Sequence, residues 1–153
     1  HSFPTRRSSD LALRNEPLPV YGKGQNIRDW IHVEDHSQGV LLAFEKGKPG
    51  ESYCFGGRSE RTNLDVVKTI CQLLDAKMPM ANGASYESQI RFVEDRAGHD
   101  FRYAIDDTRA EKTLGFERHY QAFEAGLAQT VDWYLENKIW LEAVSKKNKE
   151  KLT

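Results

Sequence analysis

Residues Leu18 to Asp35 read L-P-V-Y-G-K-G-Q-N-I-R-D-W-I-H-V-E-D, and the rest of the chain is arranged around this stretch. Pro19 presets an extended run, and Gly22 and Gly24 then permit a tight turn with positive φ or a close backbone approach. A second strand-like run follows, carrying Arg28, so Tyr21 and Arg28 come to neighbouring segments of one loop-and-strand unit. An aromatic ring beside a guanidinium suits a nucleotide: the ring can stack on a base and the planar fork can grip phosphate.

Upstream, Ala12 to Glu16 reads as the end of a helix, cut off before Pro17 and Pro19. Val20-Tyr21 is a short strand, and Ile27 to Val33 alternates Ile27, Asp29, Ile31 and Val33 against Arg28, Trp30 and His32. Glu34 and Asp35 open a helix, as the macrodipole favours, with Val40, Leu41 and Phe44 as its expected buried stripe before Gly47. Glu51 to Phe55 reads as a strand ending in Gly56-Gly57. Thr62 or Asn63 caps the next helix, which places Leu64, Val67, Ile70, Cys71 and Leu74 at helical spacing.

After the breakers Pro79 and Asn82-Gly83, Ile90 and Phe92 mark another strand, and Tyr103 to Ile105 is strand-like. Asp106 or Asp107 caps a short helix that runs through Leu114 and ends at Gly115. Phe123, Leu127, Val131, Tyr134 and Leu135 form the stripe of a long amphipathic helix reaching Val144. Short strands scattered among helices predict an α/β fold, a small mixed sheet with helices rather than a full doubly wound sheet.

The 153 residues amount to one domain, expected over residues 12–144. Residues 1–11, H-S-F-P-T-R-R-S-S-D-L, show neither an apolar signal region nor a strand or helix period, and are expected to be extraneous or disordered. Residues 145–153, rich in lysine, read as a solvated tail. Lys+Arg 22 against Asp+Glu 23 gives no basic excess, which argues against nucleic acid as a partner. No apolar run is long enough to span a membrane. Cys54 and Cys71 lack CxxC spacing and read as reduced, small buried hydrophobes of a cytoplasmic protein.

Three motifs are set aside. Gly22-x-Gly24 is half of a dinucleotide fingerprint, yet Ile27 occupies the third glycine position and a strand follows. His32-Val-Glu-Asp-His36 has its glutamate out of place for either zinc signature, and the histidines straddle a strand and a helix. Tyr134-Leu-Glu-Asn-Lys138 has Tyr-x-x-x-Lys spacing, but it lies near the end of the last helix with no nucleotide-binding strands before it.

What survives is a dispersed polar set at element ends: Tyr21, Arg28, Asn63 and the run Asp95-Arg96-Ala97-Gly98-His99. Singly, each has a bland structural reading, as core ring, surface ion pair, helix cap and ordinary turn. Together they offer two guanidiniums, an imidazole, an amide and a ring. A helix N-terminus at Asn63 is expected to add oriented N–H groups, a combination suited to a phosphate-bearing ligand.

The segments L-P-V-Y-G-K-G-Q-N-I-R-D-W-I-H-V-E-D-H, G-E-S-Y-C-F-G-G, N-L-D-V-V-K-T-I-C-Q-L-L-D, F-V-E-D-R-A-G-H-D-F-R-Y-A-I-D and W-Y-L-E-N resemble the C-terminal part of the dTDP-glucose 4,6-dehydratases. These are extended short-chain dehydrogenases/reductases. The likeness covers Ala12 to about Asn137. Its G-x-G-x-x-x-R-D-W portion is shared with many nucleotide-sugar epimerases and dehydratases, whereas D-R-x-G-H-D-x-R-Y-A-I-D is more particular to the dehydratases. The family usually has proline where this chain has Ala97, and the segment between Met78 and Glu87 is longer than usual.

The resemblance implies that Pro19, Val20 and Tyr21 line the nucleotide end of a substrate pocket, that Arg28 and Asn63 contact the diphosphate, and that Asp95, Arg96, Ala97, Gly98 and His99 form another wall. It further implies a longer parent, a homodimeric lyase whose N-terminal Rossmann domain holds NAD and the catalytic residues. Family chemistry oxidises the sugar at C4, eliminates water across C5 and C6 and returns hydride to C6. This chain would be the dTDP-sugar-binding portion, inactive alone. The rivals are the same portion of a nucleotide-sugar 4-epimerase or UDP-glucuronate decarboxylase, or a non-enzymatic sugar-nucleotide-binding module.

Overall fold

The computed structural model describes residues 4–95, 98, 100–141 and 143–144. In chain order its elements are α1 (Pro4–Leu13), β1 (Leu18–Tyr21), β2 (Ile27–Asp29), α2 (Val33–Lys46), β3 (Glu60–Thr62), α3 (Asn63–Lys77), β4 (Ile90–Val93), α4 (Thr108–Leu114) and α5 (Phe123–Glu136), with a 3₁₀ turn at Tyr86–Gln89 before β4. The expected α/β class with small sheets is borne out. The strands form two separate pairs, β1 parallel to β4 and β2 antiparallel to β3.

The main core forms around α3 because its apolar residues recur at helical spacing. Val66, Val67, Ile70, Cys71 and Leu74 are buried against Leu18 and Val20 of β1 and Leu127 and Val131 of α5. Ile70 and Leu74 are each fully shielded, worth about 1.5–3 kcal/mol apiece relative to exposure. Thr62 is the N-cap, its Oγ1 accepting the Asp65 N–H at 3.1 Å and donating to the Asp65 carboxylate at 2.7 Å. A second, smaller core joins Leu42 of α2 to Ala110 and Leu114 of α4 and to Phe116. Gly115 ends α4 in the left-handed conformation at φ 70°, as expected of a glycine there.

Several expectations are corrected. Residues 4–11 are helical rather than irregular: α1 begins at Pro4, Ser8 and Ser9 are buried, and Asp10 pairs with Arg14 one turn on at 3.0 Å. Small serines let one helix approach another closely, which an apolar period does not register. The stripe Val40, Leu41 and Phe44 of α2 is exposed, Phe44 by 87%. The inward face is instead Asp35, Gly39 and Leu42, because Asp35 accepts the N–H groups of His119 and Tyr120 at 2.9 and 3.1 Å, and Gly39 lies flat against Phe55.

Residues 51–57 make no strand ladder among the described residues, and β2 stops at Asp29 rather than Val33, since His32 already caps α2. Residues 103–105 are likewise outside any strand, although Arg102 bridges to Ile27. Helix α5 ends at Glu136, and a separate helical turn starts at Lys138. The tail expected at 145–153 lies outside the described residues.

Candidate substrate site

β1 ends at Tyr21, and the chain then turns through Gly22 at φ 55° and Gly24 at φ 69°. Both positive angles are needed to reverse the chain so tightly, and both approaches are close. A Cβ at Gly22 would meet the Asp95 carboxylate at 2.7 Å, and one at Gly24 would meet Val20 at 2.7 Å and Leu64 at 2.8 Å. The Asp95 carboxylate is thereby set against Gly22, next to Tyr21 in the chain. Val20 is buried in the main core, so it can contribute to a pocket wall only through its backbone.

The loop is then fastened ahead of β2. Leu64 N–H donates to the Gly24 carbonyl and Asn63 N–H to the Asn26 carbonyl, each at 3.0 Å. The Asn26 side chain donates to the Asp100 carbonyl at 3.4 Å. The N–H groups expected to greet a phosphate at the start of α3 are therefore spent on the loop and on Thr62, which corrects that reading. Asn63 remains at the site through its side chain, whose Oδ1 is buried without a hydrogen-bond partner among the described residues.

Arg28 projects from β2 beside residues 100–103. Its guanidinium donates to the carbonyls of Ile27 at 2.6 Å, Asp100 at 2.9 Å and Phe101 at 3.3 Å, and stacks on the Tyr103 ring with 4.5 Å to the centroid. The Tyr103 hydroxyl donates to the Asp100 carboxylate, and that hydrogen bond raises its pKa. Carbonyls and a ring face thus orient the planar fork.

Asp100 and Tyr103 were not foreseen as site residues. The signal was the D-F-R-Y sequence directly after the D-R-A-G-H run, with an aromatic two residues beyond Phe101 on the same side of an extended chain. Of that run, Asp95 stands beside Gly22 and Gly98 is described in a turn at φ 72°. Arg96, Ala97 and His99 lie outside the described residues. Pro19 is paired with Arg91 in the β1–β4 ladder.

A cavity of about 320 Å³ lined by Ala12, Leu13, Asn15, Met80, Ala81, Asn82 and Tyr86 includes none of these residues. No cluster of three or more metal-ligating side chains occurs among the described residues, and no helix there is long and apolar enough to cross a membrane.

A family model described as GDP-mannose 4,6 dehydratase matches residues 3–130. The chain belongs to this dehydratase family. Within it, the chain is 52% identical over 133 residues to the dTDP-glucose 4,6-dehydratase of Xanthomonas campestris, covering 87% of this chain and 38% of that protein. It is 50% identical over 133 residues to the dTDP-glucose 4,6-dehydratase of Salmonella typhimurium, covering 87% of this chain and 36% of the relative. This chain therefore spans well under half the length of the dehydratases it matches, and the likeness expected from its motifs is borne out.

Among solved structures, the dTDP-glucose 4,6-dehydratase of Bacillus anthracis in complex with NAD superposes with a TM-score of 0.76 at 38% identity, over 90% of this chain and 40% of that one. UDP-glucose 4-epimerase of Thermotoga maritima shares the fold alone, with a TM-score of 0.75 at 24% identity over 88% of this chain and 40% of that one. The described residues of this dehydratase-family chain do not themselves fit NAD. Gly22 and Gly24 lead into strand β2 rather than a helix, and the N–H groups opening α3 are occupied.

Proposed function

We propose that this chain is the substrate-binding part of a dTDP-glucose 4,6-dehydratase, a lyase that forms the 4-keto-6-deoxy sugar nucleotide. The observation that carries the reading is the Arg28 fork, presented on the Tyr103 ring between the Gly22–Gly24 turn and residues 100–103. A diphosphate there would meet a charged, planar donor already oriented by three carbonyls, so little rotamer entropy is lost on binding. The nucleobase stacks towards Tyr21, and Asn63 offers its carboxamide from the neighbouring end of the β2–β3 ladder. Asp95 and Gly98 contribute another wall of the pocket. The binding unit, expected at residues 12–144, begins earlier, since α1 from Pro4 packs with it.

NAD, when bound, supplies the redox chemistry, and it is held by polypeptide of the parent outside this chain. This chain's own residues bind the nucleotide end and fix the sugar's orientation. The parent works as a homodimer in the cytoplasm, a location to which the unpaired state of both Cys54 and Cys71 is suited.

The test is calorimetric titration of the full-length enzyme with dTDP-glucose, UDP-glucose and UDP-glucuronate. Preference for dTDP-glucose, with conversion to a 4-keto-6-deoxy product, is expected. Preference for a UDP-sugar would assign the site to an epimerase or decarboxylase. Binding without turnover by the full-length protein would mark a non-enzymatic module.

A further inference from the structure

We infer that Asp29 is a positioning residue for Arg28, acting by locking the turn at residues 56–59 onto the strand that carries the guanidinium. The inference rests on the reading of Arg28 as the diphosphate grip.

Successive strand side chains point to opposite faces, so Asp29 faces away from Arg28. Its two carboxylate oxygens are divided between two backbone donors, Oδ2 accepting from Gly57 N–H at 3.0 Å and Oδ1 from Ser59 N–H at 2.8 Å. One step along, Trp30 N–H donates to the Ser59 carbonyl at 3.1 Å. The turn is in direct backbone contact with the strand: a Cβ on Gly57 would fall 1.7 Å from the Trp30 carbonyl oxygen.

The same turn is anchored from its other side by Asp107, itself 1% exposed. Asp107 accepts from Gly56 N–H at 3.3 Å and from Arg58 Nε at 3.1 Å, and Arg118 Nε donates to the Gly56 carbonyl at 2.6 Å. The turn is thus a fixed point, and Asp29 ties β2 to it.

β2 needs such a tie because it has three residues, paired among the described residues only with the three residues of β3 and bridged through Ile27 to Arg102. So short an antiparallel pair is marginal alone, and a small displacement carries its side chains with it. Arg28 takes its orientation from carbonyls on Ile27, Asp100 and Phe101, so a displaced β2 would move the fork off those acceptors. β3 ends at Thr62 and runs directly into Asn63, and the lock therefore sets the second diphosphate contact as well. A carboxylate is required because both atoms must accept. An asparagine amide would oppose one of the two N–H groups with its own donors.

The experiment uses the full-length enzyme and the variants Asp29→Asn, Arg28→Ala and their combination. The readouts are the dTDP dissociation constant by calorimetry, KM and kcat for dTDP-glucose, NAD affinity and the thermal midpoint. Asp29→Asn is expected to weaken dTDP and raise the dTDP-glucose KM by about 10-fold or more, since small misplacements of a gripping group are costly. Changes in kcat and NAD affinity should stay within about twofold. In the Arg28→Ala background the same substitution should change dTDP affinity by less than about twofold, because the two act through one group.

Unchanged dTDP affinity in Asp29→Asn, or penalties that multiply in the double variant, would overturn the inference. Unchanged dTDP affinity in Arg28→Ala would instead remove the diphosphate-grip reading beneath it. If Asp29→Asn does not fold, Asp29→Glu keeps two acceptor oxygens but displaces them by a methylene, and the same pattern is expected at about threefold; dTDP affinity equal to the parent's would again overturn the inference.

Discussion

The guanidinium carbon of Arg28 lies 4.5 Å from the centroid of the Tyr103 ring, so the cation at the candidate site rests on an aromatic face supplied from about seventy residues further along the chain. In the full-length enzyme, Arg28→Ala should weaken dTDP-glucose by roughly 2–5 kcal/mol if the fork meets a buried diphosphate. Titration calorimetry reads this directly, and unchanged affinity would count against the site.

Tyr103 makes a separable contribution. Tyr103→Leu should weaken dTDP binding by about 0.5–1 kcal/mol, the worth of an exposed cation–ring contact, whereas Tyr103→Phe should bind almost normally. The Asp100 hydrogen bond raises the Tyr103 pKa, favouring the neutral phenol, so affinity should show no inflection from this group at or below its ordinary value near 10. A pH series of dTDP titrations with the parent and Tyr103→Phe checks this.

Gly57→Ala has no room at all, since the new methyl would overlap the Trp30 carbonyl oxygen. The strand and turn must separate to admit it, and a loss of about 3 kcal/mol or more is expected. A urea unfolding series reads the loss, and a midpoint equal to the parent's would mean the contact is not present in solution.

The two thiols should differ sharply. Cys54 is exposed, and Cys71 is wholly buried with its pKa pushed up to about 12 by burial. A native-state thiol titration at pH 8 should therefore label Cys54 alone, with Cys71 following only on unfolding. The folded state holds the Cys71 proton more tightly than the unfolded chain does. Its contribution to stability is therefore complete below the ordinary pKa of 9.0 and is lost as the pH rises towards about 12. Unfolding midpoints measured at pH 8 and pH 10.5 on Cys71→Ala and its parent should converge at the higher pH.

The stripe on α2 gives the last prediction. Leu41 and Phe44 are 47% and 87% exposed, so Leu41→Gln with Phe44→Ser should change the unfolding free energy of the isolated chain by no more than about 0.5 kcal/mol per site. It should also reduce self-association in sedimentation. A large destabilisation would show that the stripe is core after all.

Helix α3 was legible because its stability comes from one uninterrupted apolar period closed by a side-chain cap, and both are local properties of sequence. Helix α2 was not. Its inward face is a carboxylate, a glycine and one leucine, chosen by the N–H groups of His119 and Tyr120 and by the Phe55 ring far along the chain. Apolar counting therefore selected the opposite side. Residues 51–55 have strand composition without a ladder partner among the described residues, and pairing is a property no single segment encodes.

The same division holds at the site. Tyr21, Arg28 and Asn63 could be put forward as candidates from residue type and position along the chain. That the opening N–H groups of α3 would be consumed by the carbonyls of Gly24 and Asn26 depends on how the loop lies. Tyr103 escaped notice because its value comes from the Arg28 guanidinium lying over its ring, a tertiary fact.

The parallel pairing of Leu18 with Ile90 has a kinetic consequence. No hairpin can nucleate that ladder, so the entropy of closing the long intervening loop must be met before a single rung forms. The chain should consequently collapse first around the helix that fills the middle of that loop and zip β1 to β4 late. Synthesis truncated before Ile90 would leave β1 with an unsatisfied edge and a tendency to aggregate.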